Sequence, residues 1–488
     1  MSKVLKNRVV GLRRVMVGLA ALSAVTAGAA LAADPTDTNF GTKGIAEIEA
    51  RIPATGQVGG IADLEPAAGG KMLAAVHSMA AKSHYFAAAR ILPNGRLDPS
   101  FGADGFTHRF QFGRESEVAA GGVLQAEAVA AQKDGKVVLA GYREVRSAFA
   151  PALARFTSRG RLDQSFGHGG RITPRPLYGG RRVDGGGERI HDVAVEPDGT
   201  IVGVGDVVPG LGAGPSRPGA LAIAYRPDGT VDRAFGHAGS LRISVPRSGA
   251  YTGFSQVRAL PSGKLLVSGF LRQRLVVYLL TARGRIDRNF GDGGRVIVGA
   301  ASTHELFGNG GYLRAPFAVD RQGRIVLAGP IFAKGGSQAP VVLVRLLPDG
   351  RRDPSFGRSL YMEKAPIDRH EPTPRKHVEN YAFPPQSVAI DSAGRIVVVG
   401  MELAPFTRGQ AEPGYQYFAA RRFRPDGRLD RGFGHGGVWD TNPAGSKSMA
   451  RAALTQPDGR VVAGGWIQLE RGAGNGPGNT AMLLTRYR

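Results

Sequence analysis

The stretch Arg155-Phe156-Thr157-Ser158-Arg159-Gly160-Arg161-Leu162-Asp163-Gln164-Ser165-Phe166-Gly167 ends in the pentad D-x-x-F-G, and Gly170 follows three places on. The pentad recurs with its Asp at Asp37, Asp98, Asp163, Asp232, Asp287, Asp353 and Asp430, and with its Phe at Phe40, Phe101, Phe166, Phe235, Phe290, Phe356 and Phe433. Gly44, Gly105, Gly170, Gly239, Gly294 and Gly437 complete six copies, whereas Leu360 stands at that place in the copy of Asp353. A second element accompanies the first: a turn Gly, a basic residue or Thr, an apolar run and a small residue. It reads Gly135-Lys136-Val137-Val138-Leu139-Ala140-Gly141 in one copy and Gly394-Arg395-Ile396-Val397-Val398-Val399-Gly400 in another. Further copies start at Gly199, Gly263, Gly323 and Gly459, with a degenerate one at Gly70-Lys71-Met72. Successive Phe-Gly motifs lie 55 to 77 residues apart. That is the period of propeller blades rather than of helical solenoids.

Each unit reads as four short strands. In one copy strand one runs from about Ile190 to Val195, and Pro197-Asp198-Gly199 makes a hairpin turn into strand two, Ile201 to Val204. Strand three is about Leu221 to Tyr225. A second Pro-Asp-Gly turn leads through Asp232 and Phe235 to strand four after Gly239. The chain begins with the second half of a unit, Asp37 to Ala50, and finishes with the first three strands of another, Met449 to Arg488. Pairing the two would leave no open edge. The expectation is an all-β, seven-bladed β-propeller with four antiparallel strands per blade, closed by the N-terminal strand and spanning residues 33–488 as a single domain.

These motifs resemble the delta-60 repeat family, tandem repeats of bacterial secreted and surface proteins expected to form propellers. The resemblance covers nearly all of the chain after its first 32 residues. It implies a propeller fold and an extracytoplasmic setting, and it carries over no reaction and no catalytic residue.

Composition agrees with such a fold. Gly (72) and Pro (31) are abundant in the 488 residues, and 42% hydrophobic content is enough to build a core. With no Cys, disulfides, zinc–thiolate sites, iron–sulfur clusters and thiol nucleophiles are all excluded. The net charge of +23 invites a polyanion as partner. Against nucleic acid stand the leader described next and the lack of a concentrated Lys/Arg run; 51 of the 63 basic residues are Arg, as GC-rich coding alone can produce. Lys3, Lys6, Arg8, Arg13 and Arg14 precede an uncharged run from Val15 to Ala32 that ends in Ala30-Leu31-Ala32. This reads as a secretory signal peptide over residues 1–32, with retention as an anchor left open. The chain is therefore expected in the periplasm, at the cell surface or in the medium, as a monomer. Cleavage after Ala32 would leave 456 residues and a net charge of +18.

Residues repeated in every unit are expected to hold the fold. An Arg stands eight places before the motif Asp in Arg90 and Asp98, Arg155 and Asp163, Arg345 and Asp353, and Arg422 and Asp430, and Arg486 is the corresponding partner of Asp37. The expected role is an ion pair closing the turn between strands three and four. The alternative is a ring of anion-binding Arg. Phe40, Phe101, Phe166, Phe235, Phe290, Phe356 and Phe433 read as buried wedges, since seven equivalent rings cannot all serve one site. His168, His237 and His435 follow motif Gly residues at places where other copies carry Thr42, Ala103, Asp292 or Arg358, the mark of an exposed turn. The oxygen-rich spacing of a calcium loop is missing, and Trp439-Asp440 is a lone dipeptide. The chain has no G-x-S-x-G elbow, H-E-x-x-H or phosphate-binding loop, no sialidase box and no cofactor signature.

Strand alternation puts the uniform one–two and three–four turns on one face and the variable segments on the other. Those segments are Phe106 to Leu124, Arg171 to Arg189, Asp206 to Gly219, Ala300 to Arg314, Ser359 to Pro385, Glu402 to Tyr417 and Ile467 to Asn479. A scaffold that fixes one face and varies the other places function on the varied one. His77, His84, His108, His191, His304, His370 and His377 map there; the Pro-rich insertion from His370-Glu371 to His377 matches no recognised metal site. Counting eight residues back from the turn Gly indexes the channel mouth: Glu127, His191, Ser255, Ala315, Gln386 and Arg451, with Asp192 and Gln256 adjoining. The bland reading is a hydrated mouth. The sharper one is a ligand pocket, with Glu127, His191 and Asp192 as proton-transfer groups and Arg451 as an anion clamp. Two functions compete on these residues: an exported binding or scaffold module for a protein, glycan or anionic envelope polymer, and a propeller lyase or hydrolase acting at the mouth.

Overall fold

The computed structural model of the chain describes residues 34–48, 51–52, 56–57, 59–77, 86–107, 124–145, 148–174, 177–178, 181–182, 186–208, 218–245, 251–272, 274–298, 314–330, 341–357, 359–361, 383–403, 416–441, 447–468 and 480–488. The leader, most of the variable segments, and His84, His108, His304, His370 and His377 lie outside these. Among the described residues no helix is long and apolar enough to cross a membrane.

The unit read first from sequence shows how the strands arise. Gly186–Val195, Ile201–Val208, Gly219–Tyr225 and Ser240–Ser244 pair antiparallel in that order. Apolar side chains alternate onto two faces, so Val202, Val204, Ala222 and Ala224 pack against Phe254, Val257, Val267 and Val276 of the next sheet. First strands face the axis and contact one another in a ring. Ser448–Thr455 packs on Gly60–Pro66, which packs on Leu124–Ala131, and that strand on Gly186–Val195, which in turn packs on Gly253–Ala259. Ser255 and Gln256 bond the Gly253–Ala259 strand to Ala315 and Phe317; Phe317–Val319 then packs on Pro385–Ile390, and Pro385–Ile390 on Ser448–Thr455. The N-terminal strand Ile45–Ile48 lies antiparallel on the C-terminal strand Thr480–Tyr487, with Ile45 opposite Thr485.

The expected seven separate four-stranded blades are corrected by the sheet topology. The propeller strands form five sheets of four or more strands, four of them four-stranded and one eight-stranded, together with one three-stranded sheet. Two causes are visible. Gly186 and Gly187 pair in parallel with Ala148 and Phe149, which fuses two units into the eight-stranded sheet. That approach is so close that a Cβ on Gly187, at φ +119°, would lie 2.0 Å from the Phe149 carbonyl oxygen. In the three-stranded sheet Gly60–Pro66, Met72–His77 and Phe86–Ile91 pair, and the segment after them lies beside Phe86–Ile91 through the bridge Ala89–Phe106, the backbone bonds Thr107 N to Ala88 O at 2.8 Å and Arg90 N to Gly105 O at 2.9 Å, and the Thr107 Oγ1 bond from Ala88 N, without forming a fourth strand among the described residues.

Neighbouring units are fastened through the repeated residues. Arg90, Arg155, Arg345 and Arg422 donate from Nε to Asp98, Asp163, Asp353 and Asp430 at 2.7–2.8 Å, and Arg486 Nη2 lies 2.8 Å from Asp37 Oδ2. Each guanidinium also reaches a backbone carbonyl of the following unit: Arg90 that of Ser158, Arg155 Pro227, Arg345 Pro425, Arg422 Arg488 and Arg486 Pro93. The guanidinium carbons of Arg90, Arg155, Arg345, Arg422 and Arg486 lie 4.5–5.0 Å from the ring centres of Phe101, Phe166, Phe356, Phe433 and Phe40 respectively. These are clasps, each guanidinium joining an Asp of its own unit to a carbonyl of the next. The residue after the turn Gly supplies a second cation to the same Asp, as Lys71 does for Asp98, Lys136 for Asp163 and Arg460 for Asp37, and at Asp287, where Leu279 replaces the Arg, Lys264 supplies the cation.

The seven motif rings, Phe40, Phe101, Phe166, Phe235, Phe290, Phe356 and Phe433, are all buried, so they stand in the core and line no site. Their partners are backbone and apolar side chains at the borders between units. Phe235 packs on Gly284 of the following unit, Phe40 on Gly95, Phe101 on Gly160, Phe166 on Gly229 and Phe290 on Gly350. Phe356 lies in the cluster of Phe383 and Phe423, and Phe433 meets Tyr487 edge-on at 5.4 Å between ring centres.

Candidate functional site

The residues indexed from the turn Gly share a backbone feature. In six first strands the pairing register shifts at one residue, and those residues are Ala62, Glu127, His191, Ser255, Gln386 and Arg451. Each is therefore a β-bulge, an extra residue that shifts the register of its strand and re-aims its side chain. Five of the six are polar, and all five are described.

Two of them meet. Glu127 Oε2 accepts from Arg451 Nη2 at 3.3 Å and from Arg314 Nη2 at 3.1 Å. Glu127 and Arg451 lie in the first strands of two units and Arg314 just before that of a third, Phe317–Val319, and no two of these strands are neighbours in the ring, so this triad spans the channel. Glu127 and Arg451 are each 5% exposed. A carboxylate and two guanidiniums largely withdrawn from water hold each other in place.

His191 takes another direction. Its Nε2 lies 3.2 Å from Asp206 Oδ1, and Arg189 holds the same carboxylate in a fork, Nε to Oδ1 at 3.0 Å and Nη2 to Oδ2 at 2.6 Å. Burial opposes ionisation of Asp206, but Arg189 and His191 outweigh it and keep the carboxyl well below the usual range. The Arg189 guanidinium lies over Phe149 and Tyr142, 5.4 and 5.7 Å from their ring centres, and Tyr142 donates to Gln125 Oε1 at 2.8 Å. Burial, and next to it the charge of Glu127, push the Tyr142 phenol far above its ordinary value, which ties this seam to the triad.

Asp192 and Gln256 do structural work instead. Asp192 accepts from Val193 N and Val257 N, both at 2.8 Å, and Gln256 Oε1 accepts from Phe317 N at 2.7 Å. Asp63 does the same for Val129 N at 3.0 Å. The residue after the bulge thus latches its strand to the next one. Burial raises the carboxyls of both Asp63 and Asp192 above the ordinary value. Ser255 Oγ accepts from Ala315 N at 3.0 Å, so this pair forms a further latch. Sequence reasoning missed Arg314, Arg189, Asp206 and Tyr142. Arg314 adjoins the indexed Ala315, so the fixed count from the turn Gly passes beside it, whereas Asp206 emerges only as the cross-strand partner of Arg189. His168, His237 and His435 sit on separate exposed turns. Among the described residues no group of three or more His, Asp or Glu is arranged to hold a metal.

Over residues 132–166 and 323–356 the chain matches the family described as a domain of unknown function (DUF5122) β-propeller, which supports a propeller of repeated units. No curated protein matches it. Among solved structures it is similar to a streptogramin B lyase at 11% identity and TM-score 0.40, covering 90% of this chain and 96% of that one. It is also similar to a PQQ-bound aldose sugar dehydrogenase from Streptomyces coelicolor at 12% identity and TM-score 0.35, covering 91% and 98%. A polysaccharide lyase, Uly1, is similar at 12% identity and TM-score 0.35, covering 78% and 92%.

Proposed function

We propose that the protein is an exported β-propeller binding module that takes a small polar ligand with an anionic group at the variable-loop end of its channel. The observation that carries this reading is the Glu127–Arg314–Arg451 triad, in which one carboxylate is shared by two guanidiniums from opposite sides. A ligand carboxylate or phosphate entering there would compete with Glu127 for Arg451 and gain a charge-assisted, forked contact. The leader supports export, and the variable segments around the mouth would select among ligands bearing the same anionic group.

Thermal-shift screening of uronic acids, sugar phosphates and dicarboxylates tests it. A ligand should raise the melting temperature of the wild type and leave that of folded Arg451→Ala unchanged. Equal shifts in both, or none in the wild type, would overturn the reading. A second reading, a lyase or hydrolase acting at the same end, is favoured by one observation: Asp206 orients the partly exposed His191, as a carboxylate orients a general base. Turnover abolished by His191→Gln, with ligand binding retained, would select it.

A further inference from the structure

The turns between strands three and four form a continuous belt. Gly102 N donates to Arg159 O at 2.8 Å, Gly167 N to Asp228 O at 2.7 Å, Gly236 N to Arg283 O at 2.7 Å, Gly291 N to Asp349 O at 2.8 Å and Gly357 N to Asp426 O at 3.1 Å. Each bond ties one turn to the next, so segments 92–101, 157–166, 226–235, 281–290, 347–356 and 424–433 follow one another around the outer part of a single face. These six segments carry thirteen Arg, all exposed, against three carboxylates other than the motif Asp residues. Five of the six motif Asp are already matched by strand cations such as Lys71, Arg155, Lys264, Arg345 and Arg422. The sixth, Asp232, faces Arg226 of the belt itself, so about nine of the net +23 charges sit on this belt, a concentration that folding creates and the linear sequence conceals.

We propose that the arginine belt docks the propeller, turn face down, on a lamellar surface of phosphate headgroups. The shape favours a plane over a linear polymer, because the belt runs around the ring and a plane meets all of its turns at once. Guanidinium groups match phosphate oxygens in a fork, and each basic residue near an anionic bilayer adds to the attraction. Val231 is the one large exposed hydrophobic residue among those described, so contact is electrostatic and without insertion. The surface lies on the face opposite the channel-mouth site and is independent of that reading.

The test is co-sedimentation of the full chain with phosphatidylcholine vesicles with and without phosphatidylglycerol. Binding should require phosphatidylglycerol and be lost at high salt, where surface charges are screened. Replacing Arg159, Arg161, Arg283 and Arg285 together by Gln should weaken it more than about tenfold with the melting temperature retained, given the contribution of each cation. Arg272→Gln with Arg274→Gln, on the loop face, should leave it unchanged. Wild-type binding by the belt variant, or no binding to anionic vesicles, would overturn the proposal. Binding to soluble polyphosphate without binding to vesicles would assign the belt to a linear polyanion and overturn it equally.

Discussion

Arg486 and Asp37, separated by nearly the whole described chain, form the same ion pair that Arg155 and Asp163 form eight residues apart. Asp37 sits beside the first strand and Arg486 in the last, so the pair fastens the N-terminal strand where it completes the C-terminal sheet. Arg486→Ala and Asp37→Ala should be non-additive in stability by about 1 kcal/mol or more, as expected for contacting buried groups. Chemical unfolding of both single variants and the double variant reads this directly, and additive losses would refute the clasp.

Two glycines with similar backbone angles should respond differently to Ala. Gly69, at φ +72°, has nothing within 4 Å of an added Cβ, so Gly69→Ala should cost about 1–2 kcal/mol from backbone strain alone. Gly284, at φ +67°, would bring its Cβ within 2.5 Å of the Phe235 ring. Gly284→Ala should lose roughly 1–3 kcal/mol more through overpacking. Equal losses in denaturant midpoints would show that the Phe–Gly contact is not a close packing constraint.

Glu196 gives a pH dependence opposite in sign to the motif Asp residues. Burial, then Asp198 and Asp232, push its carboxyl up to about 7 in the folded chain. Between the unfolded value of 4.5 and about 7 the native state holds the extra proton, so stability falls as pH rises through that window and is flat above it. Glu196→Gln should remove this slope and stabilise the protein at pH 8 by about 2 kcal/mol, with little effect at pH 4. Melting temperatures of both proteins across this range decide it; a constant difference would disprove the shift.

Asp192 should prove structural. Replacing it by Ala leaves Val257 N without its acceptor, which should lower stability by about 1–3 kcal/mol. Any ligand whose binding Arg451→Ala abolishes should still bind Asp192→Ala below its melting temperature. Loss of binding in a folded Asp192→Ala protein would return this residue to the site.

The sequence showed the units, their turn chemistry and the Arg–Asp pairs, because each is repeated at a fixed spacing and depends on residues near one another. The same spacing indexed five of the six bulged residues, read as a channel mouth, since the distance from the turn Gly to the irregular residue is constant. The grouping of strands was not legible. It depends on Gly187 meeting Phe149 across two units and on Phe106 pairing with Ala89 through an isolated bridge in place of a strand. Arg314 and Asp206 escaped for a related reason. Their importance lies in contacts made across the channel or between strands, where no local pattern records the partner.

The clasps are not evenly distributed. Ala224 and Leu279 stand where the other units carry Arg, so the borders beyond Asp232 and Asp287 keep the Gly236 and Gly291 bonds to the next turn, the latches of Asp192 and Gln256 and the Phe–Gly contacts, but have no guanidinium clasp from that position. A closed ring has no terminus from which to fray, and its unfolding must begin with a breach. A breach is therefore expected first at these two adjacent borders, and proteases acting on the opened ring should first cut near residues 281–290, the segment that lies between them.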